Sequence, residues 1–187
     1  MSTQPRSAAF DQLELVASIP LGAHLAQIRD GANVTRWHVE RLAPQRVSDH
    51  CHGVAVLLCF ICEPGANLLK AALFHDLAEK QAGDMPAPVK WEHPEIKRFL
   101  DELEDKVQRR LGLAVELTAE EERLLKIADY LDASYYALEQ RMMGNRYADD
   151  IFHRLRWFFE ERVNLVEFPK AQTIWRWLKE QYADASK

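Results

Sequence analysis

Little in this sequence suits a secreted or membrane-bound chain. Only three cysteines occur in 187 residues, Cys51, Cys59 and Cys62, too few and too clustered for a disulfide framework. Cys59 and Cys62 match C-x-x-C, but no second cysteine pair completes a zinc site and no βαβ pattern supports a redox motif. Within "GVAVLLCFIC" they read as small core residues of a buried helix. No apolar run approaches membrane-spanning length, and "MSTQPRSAAFDQLEL" lacks the basic-then-apolar design of a secretory signal. A cytoplasmic location and no membrane partner are expected. Basic charge is not in excess either: 24 Lys and Arg against 29 Asp and Glu give a formal charge of -5. That removes a nucleic-acid polymer as the default partner. It leaves room for a small anion, because a metal and a few local cations outweigh global charge. Alternating runs, internal repeats, low-complexity tracts and long linkers are also missing.

What remains is helix. With 48% hydrophobic and 28% charged residues, the chain is expected to be one all-α domain over 1–187, large enough for a substantial core. Helices are predicted at Ala8–Ser18 and Gly22–Asp30, followed by an ordered loop through "ANVTRWHVERLAPQRV". Ser48 reads as the N-cap of a helix to about Cys62, broken by Pro64-Gly65. The next helix runs from Ala66 to Ala82; "GDMPAPVK" is excluded from regular helix by Pro86 and Pro88. Pro94–Leu111 is amphipathic. Thr118 and Glu121 form a capping-box pattern for a long helix to Met143. Ala148–Val163 and Pro169–Ala183 close the chain.

Three of these helices bury polar residues that ask for a partner. "AALFHDLAEKQAGDMPAPVK" puts His75 beside Asp76 in an apolar run, with Glu79 four residues past His75 on the same helical face. "RVSDHCHGVAVLL" has His50 and His52 in its first turn, and "ERLLKIADYLDASYYAL" carries Asp129 and Asp132. An isolated His-Asp pair is most simply a satisfied core histidine. A histidine, a His-Asp pair and an aspartate from three helices would instead form a mixed N/O site suited to Zn2+, Co2+ or Mn2+ rather than Ca2+. Spacing alone does not choose between His50 and His52, or between Asp129 and Asp132.

The ordered set "RWHVERLAPQRVSDHCHG", "AALFHDLAEKQAGDMPAPVK" and "LLKIADYLDA" resembles the HD-domain metal-dependent phosphohydrolases, in particular the bacterial 5′-deoxynucleotidases and compact phage dATP triphosphohydrolases. The resemblance covers about residues 34–160, and it implies an HD-domain helical bundle. It implies His50, His75, Asp76 and Asp129 as ligands of one divalent metal (Co2+, Mn2+, Zn2+ or Mg2+), leaving His52 and Asp132 to support or pack. Glu79 would orient or deprotonate the attacking water, and Asp84 would stand beside the metal pocket. Arg36 would hold phosphate, with charge added by Lys90 and Lys126. Trp37 would pack on the sugar and exclude a 2′-hydroxyl; Val39 and Pro88 would line the base pocket. Trp91, Trp157, Trp175 and Trp177 read as packing residues.

The substrate implied is a 2′-deoxynucleotide, and the product a deoxynucleoside. The short Asp76–Asp129 segment and β-branched Val39 favour the dATP-type triphosphohydrolase, releasing tripolyphosphate; the alternative is a 5′-deoxynucleotidase acting on monophosphates. From another class, a non-catalytic nucleotide-binding sensor would have no use for Glu79. Similarity to multimeric relatives favours a homo-oligomer.

Overall fold

The computed structural model describes residues 21–187; the helix expected at Ala8–Ser18 lies outside them. Helix α1 spans Leu21–Ala32. Two short strands, β1 (Thr35–Arg36) and β2 (Gln45–Arg46), pair antiparallel where an ordered loop was expected. Helix α2 is Val47–Ile61, α3 Ala66–Phe74, α4 Glu79–Ala82, α5 Ala87–Glu92 and α6 Pro94–Arg110. Helix α7 is Ala119–Met142, α8 Ala148–Glu161 and α9 Pro169–Ala185, with a 3-10 turn at Leu165–Glu167. The architecture is the all-α bundle expected, with the β1–β2 ribbon as its one addition among the described residues.

Helix α7 is the axis, packing against α2, α8 and α9. Its start is fixed by the capping box: the Glu121 amide donates to Thr118 Oγ1 at 3.2 Å, and the Thr118 amide donates to Glu121 Oε2 at 2.8 Å. Leu124, Ile127, Ala128, Leu131 and Leu138 recur at three- and four-residue spacing and are buried. Opposite them, α2 buries Val47, His50, Cys51, Val54, Ala55, Leu58 and Ile61. Leu58, Leu68 and Leu131 are at most 1% exposed, so truncating any of them to alanine costs about 2–5 kcal/mol. Three apolar residues of "FFEERVNLVEF" close this core: Phe159, Leu165 and Phe168 are buried, whereas Val166 is exposed.

Several local expectations are corrected. Ser48 is not the cap of α2; Arg46 is, with its amide reaching Asp49 Oδ2 at 3.4 Å. The His75-Asp76 helix does not continue to Ala82. His75 Nδ1 takes the Ala72 carbonyl at 2.9 Å, the oxygen that the Asp76 amide would use in a continuing helix. The backbone then tightens to three-residue bonds, Glu79 N to Asp76 O at 3.0 Å and Gln81 N to Ala78 O at 2.9 Å. Gly83, at φ 74°, ends α4. The Pro86–Lys90 stretch does contain helix, because Pro88 falls in the first turn of α5, where its missing N–H is not needed. Cys59 is exposed, not core, while Cys51 is buried. Of the tryptophans read as packing residues, Trp175 is buried, but Trp91, Trp157 and Trp177 are each more than 40% exposed. No helix among the described residues is long and apolar enough to cross a membrane.

Candidate active site

The turn that interrupts the HD helix aims His75 and Asp76 at α2, and the axis helix α7 supplies two aspartates. His50 Nε2 stands 3.2 Å from His75 Nε2, 3.2 Å from Asp129 Oδ1 and 3.5 Å from Asp76 Oδ2. His75 Nε2 lies 3.5 Å from Asp76 Oδ1. Donors about 2.0–2.2 Å from a shared cation stand about 3–3.5 Å from one another, so these are the edge lengths of a coordination shell. Donor atoms of His50, His75 and Asp76 all lie within 4.8 Å of one another.

The protonation pattern points the same way. Asp132 Oδ2 accepts from His50 Nδ1 at 2.7 Å, and the Ala72 carbonyl accepts from His75 Nδ1 at 2.9 Å. Each ring therefore carries a proton on Nδ1, and in its neutral form turns the Nε2 lone pair towards the other ring and the carboxylates, which raise both histidine pKa values. Donor atoms of His50, His75 and Asp76 converge, and Asp129 Oδ1 joins them from the His50 side at 3.2 Å. A cation fits this arrangement. His52, by contrast, is exposed, whereas Asp132 Oδ2 stands 2.7 Å from Nδ1 of the fully buried His50. It reaches His50 because residue 53 has no side chain: a Cβ there would sit 1.9 Å from Asp132 Oδ1.

Beside the cluster opens a cavity of about 410 Å³, within the range of small-molecule sites. Arg36, Trp37, Val39, His75, Asp76, Glu79, Asp84, Pro88, Lys90, Lys126 and Asp129 all line it; His50 lies behind them. Arg36 is buried, its Nε 3.9 Å from Asp76 Oδ2, and its Nε and Nη1 have no hydrogen-bond partner. Burial disfavours its charge, but Asp76, Glu79, Asp129 and Asp84 outweigh that and raise its pKa. Unpaired buried guanidinium donors, on a residue that lines the cavity, suit an anionic partner.

Asp84 holds the loop that carries Trp37. The Trp37 amide donates to Asp84 Oδ2 at 2.7 Å and its indole Nε1 donates to Gln45 Oε1 at 2.9 Å. Trp37 adopts φ 64°, the one positive value among the described non-glycine residues, a strained conformation that these contacts maintain. Its ring stacks on Tyr136 at 5.8 Å, and the Tyr136 hydroxyl donates to the Ala43 carbonyl. The indole is thus a rigid wall.

Two carboxyls stand apart from the rest. Burial and Asp76 push Glu79 up to about 8, and its Oε2 is buried without a partner. Burial and Asp76 also push Glu104 up to about 7. Burial raises Asp76 too, but His75, Arg36 and His50 outweigh it and hold that carboxyl at about 2. Lys126 bonds Asp129 Oδ2 at 3.0 Å, leaving Oδ1 for the cluster. The cavity also contains residues with no signal in the sequence: Trp91, Glu104, and the ion pair Arg154–Glu40 at 2.9 Å. A glycine three residues past His50 was the one available hint of the Asp132 contact.

Two histidines and two aspartates gathered from three helices beside the buried guanidinium of Arg36 are the pattern of an HD-domain phosphohydrolase. Comparison with known proteins narrows this. Residues 23–180 match the family described as 5′-deoxynucleotidase YfbR-like. A 5′-deoxynucleotidase of Shewanella oneidensis is 33% identical over 164 residues, covering 81% of this chain and 80% of the relative. One of Photorhabdus laumondii is 30% identical over 149 residues, covering 66% and 74%. The chain belongs to the YfbR-like 5′-deoxynucleotidase family. Among solved structures, a cyanophage S-2L HD phosphohydrolase (DatZ), bound to dA and one catalytic Zn2+ ion, aligns with TM-score 0.61 at 24% identity, over 85% of this chain and 94% of that one. A Pyrococcus horikoshii protein aligns with TM-score 0.63 at 23% identity, over 85% and 98%; both likenesses concern the fold.

Proposed function

We propose that the chain hydrolyses 2′-deoxynucleoside 5′-monophosphates to deoxynucleoside and orthophosphate, with one divalent cation held by His50, His75, Asp76 and Asp129. The observation that carries this reading is the meeting of two facing Nε2 lone pairs and two carboxylates beside the unpartnered guanidinium of Arg36.

A divalent cation bound there supplies an acidified water and polarises a phosphoryl oxygen. The protein's own groups do the rest. Arg36, which lines the cavity, holds phosphate oxygens through its guanidinium. The carboxylate of Glu79, which lines the same cavity, accepts the proton of the attacking water. As the new O–P bond forms and the P–O5′ bond breaks, that proton is available for the leaving O5′. Trp37, fixed by Asp84, Gln45 and Tyr136, packs against the sugar face and leaves no room for a 2′-hydroxyl.

The triphosphate substrate favoured by segment length and Val39 has less support than the monophosphate. The family and the curated relatives carry the 5′-deoxynucleotidase name. Of the lysines lining the cavity, Lys97 is already paired with Asp101 and Lys126 with Asp129. Product analysis decides: metal-loaded protein is expected to release orthophosphate from deoxynucleoside monophosphates. Tripolyphosphate from a deoxynucleoside triphosphate, with no turnover of monophosphates, would overturn the reading.

A further inference from the structure

We infer that the Glu40–Arg154 pair reads the nucleobase and selects guanine; this rests on the deoxynucleotide reading above and gives it a base. The pair lines the same cavity as Arg36 and the metal ligands His75, Asp76 and Asp129. Arg36 and the metal ligands define the phosphate end, and Trp37 follows Arg36 directly. The Glu40 amide donates to the Trp37 carbonyl at 3.0 Å, so the chain turns back on itself between the two residues. Arg154, from α8, meets Glu40, Nη2 to Oε1 at 2.9 Å. Both line the cavity beside Val39, Ile151 and Leu155, an apolar wall suited to a flat ring.

Each partner is half-buried, 33% and 28% exposed at the side chain, and an ion pair so placed contributes little to stability. It uses one guanidinium N–H of five and one carboxylate oxygen of two. The remaining capacity belongs to two residues that line the cavity. Guanine is the base that uses both groups fully: N1–H and N2–H donate in parallel to a carboxylate, while O6 and N7 accept from a guanidinium fork. Adenine and cytosine offer the carboxylate a single exocyclic amine. Thymine offers one imide N–H flanked by two carbonyl oxygens, which a carboxylate repels.

The test compares kcat/KM for dGMP, dAMP, dCMP and dTMP in the parent protein and in Glu40→Gln, Arg154→Met and Arg154→Lys. The parent is expected to prefer dGMP over dTMP by about tenfold or more. Glu40→Gln collapses that ratio, because an amide meets two donors with one acceptor. Arg154→Met lowers it, and Arg154→Lys restores part of it. Calorimetric titration with deoxyguanosine and thymidine reads the same ranking without turnover, and thermal melts exclude unfolding. A parent that ranks thymine at or above guanine, or variants that leave the ranking untouched, would overturn the base assignment while leaving the hydrolysis intact. Failure to turn over any monophosphate, with the nucleoside ranking still present, would overturn the reaction and leave the base assignment standing.

Discussion

Gly53→Ala puts a methyl group where Asp132 now sits. The added carbon would lie 1.9 Å from Asp132 Oδ1 and 2.8 Å from its Cγ, so the carboxylate has to withdraw. Its Oδ2 then leaves His50 Nδ1, a contact of 2.7 Å, and the fully buried ring loses the group that fixes its tautomer and its angle. Removing a partner of this kind typically weakens metal binding about 10- to 100-fold, or about 1.4–2.7 kcal/mol. Stability responds differently. Alanine in a helix interior is about 1 kcal/mol better than glycine, which offsets much of the lost buried hydrogen bond. The expected signature is a folded protein with a near-normal melting temperature and a damaged metal site. Competition against a chromophoric chelator measures the affinity, and the visible spectrum of the Co2+ form reports distorted geometry. Asp132→Asn, which keeps the volume and one acceptor, is the companion variant and should weaken binding less. A Gly53→Ala protein that binds metal as tightly as its parent would refute the role given to Asp132.

Three further outcomes are expected. Glu79→Gln loses about 10²–10⁴ in kcat while metal content and nucleotide binding persist; retained turnover would point instead to a nucleotide-binding sensor that never used the acid. Trp37→Ala admits ribonucleotides, read as the ratio of dGMP to GMP hydrolysis, and a parent that hydrolyses both equally would remove the steric argument. Glu104 makes metal-free stability depend on pH. Its folded carboxyl titrates at about 7 against an ordinary 4.5, so between those values the folded state keeps a proton the unfolded chain has lost. Its contribution therefore falls as pH rises through that window and levels off above 7. Urea denaturation should find Glu104→Gln more stable than the parent at pH 8, on the order of 1–3 kcal/mol, and not at pH 4; an equal difference at both pH values would contradict the assignment.

Much of the bundle was legible because its signals are local. The Thr118–Glu121 box marks the start of α7, and three- and four-residue spacing marks its buried face. The His75–Ala72 contact was not legible. A histidine side chain competing for a helix carbonyl looks, in sequence, like any other helical histidine, so α3 was read two turns too long. Pro88 misled for a related reason: proline breaks a helix interior but starts a helix well, and position within the helix is decided by tertiary context. Periodicity brought the metal cluster only as far as His50 or His52 and Asp129 or Asp132. Burial separates them: His50 is fully enclosed, His52 is exposed, and Asp132 is spent on the far nitrogen of His50. Arg154 and Glu40 lie 114 residues apart in sequence, and no local pattern joins residues that only the packing of α8 brings together.

The central claim is that one cation sits between His50, His75, Asp76 and Asp129. Anomalous diffraction from crystals grown with Mn2+ or Co2+ tests it directly, since it reports both the element and its place. One peak per chain, within bonding distance of both Nε2 atoms and of Asp76 and Asp129 oxygens, is the predicted result. A structure of the metal-soaked protein with no peak there, the histidines still facing each other, would contradict it.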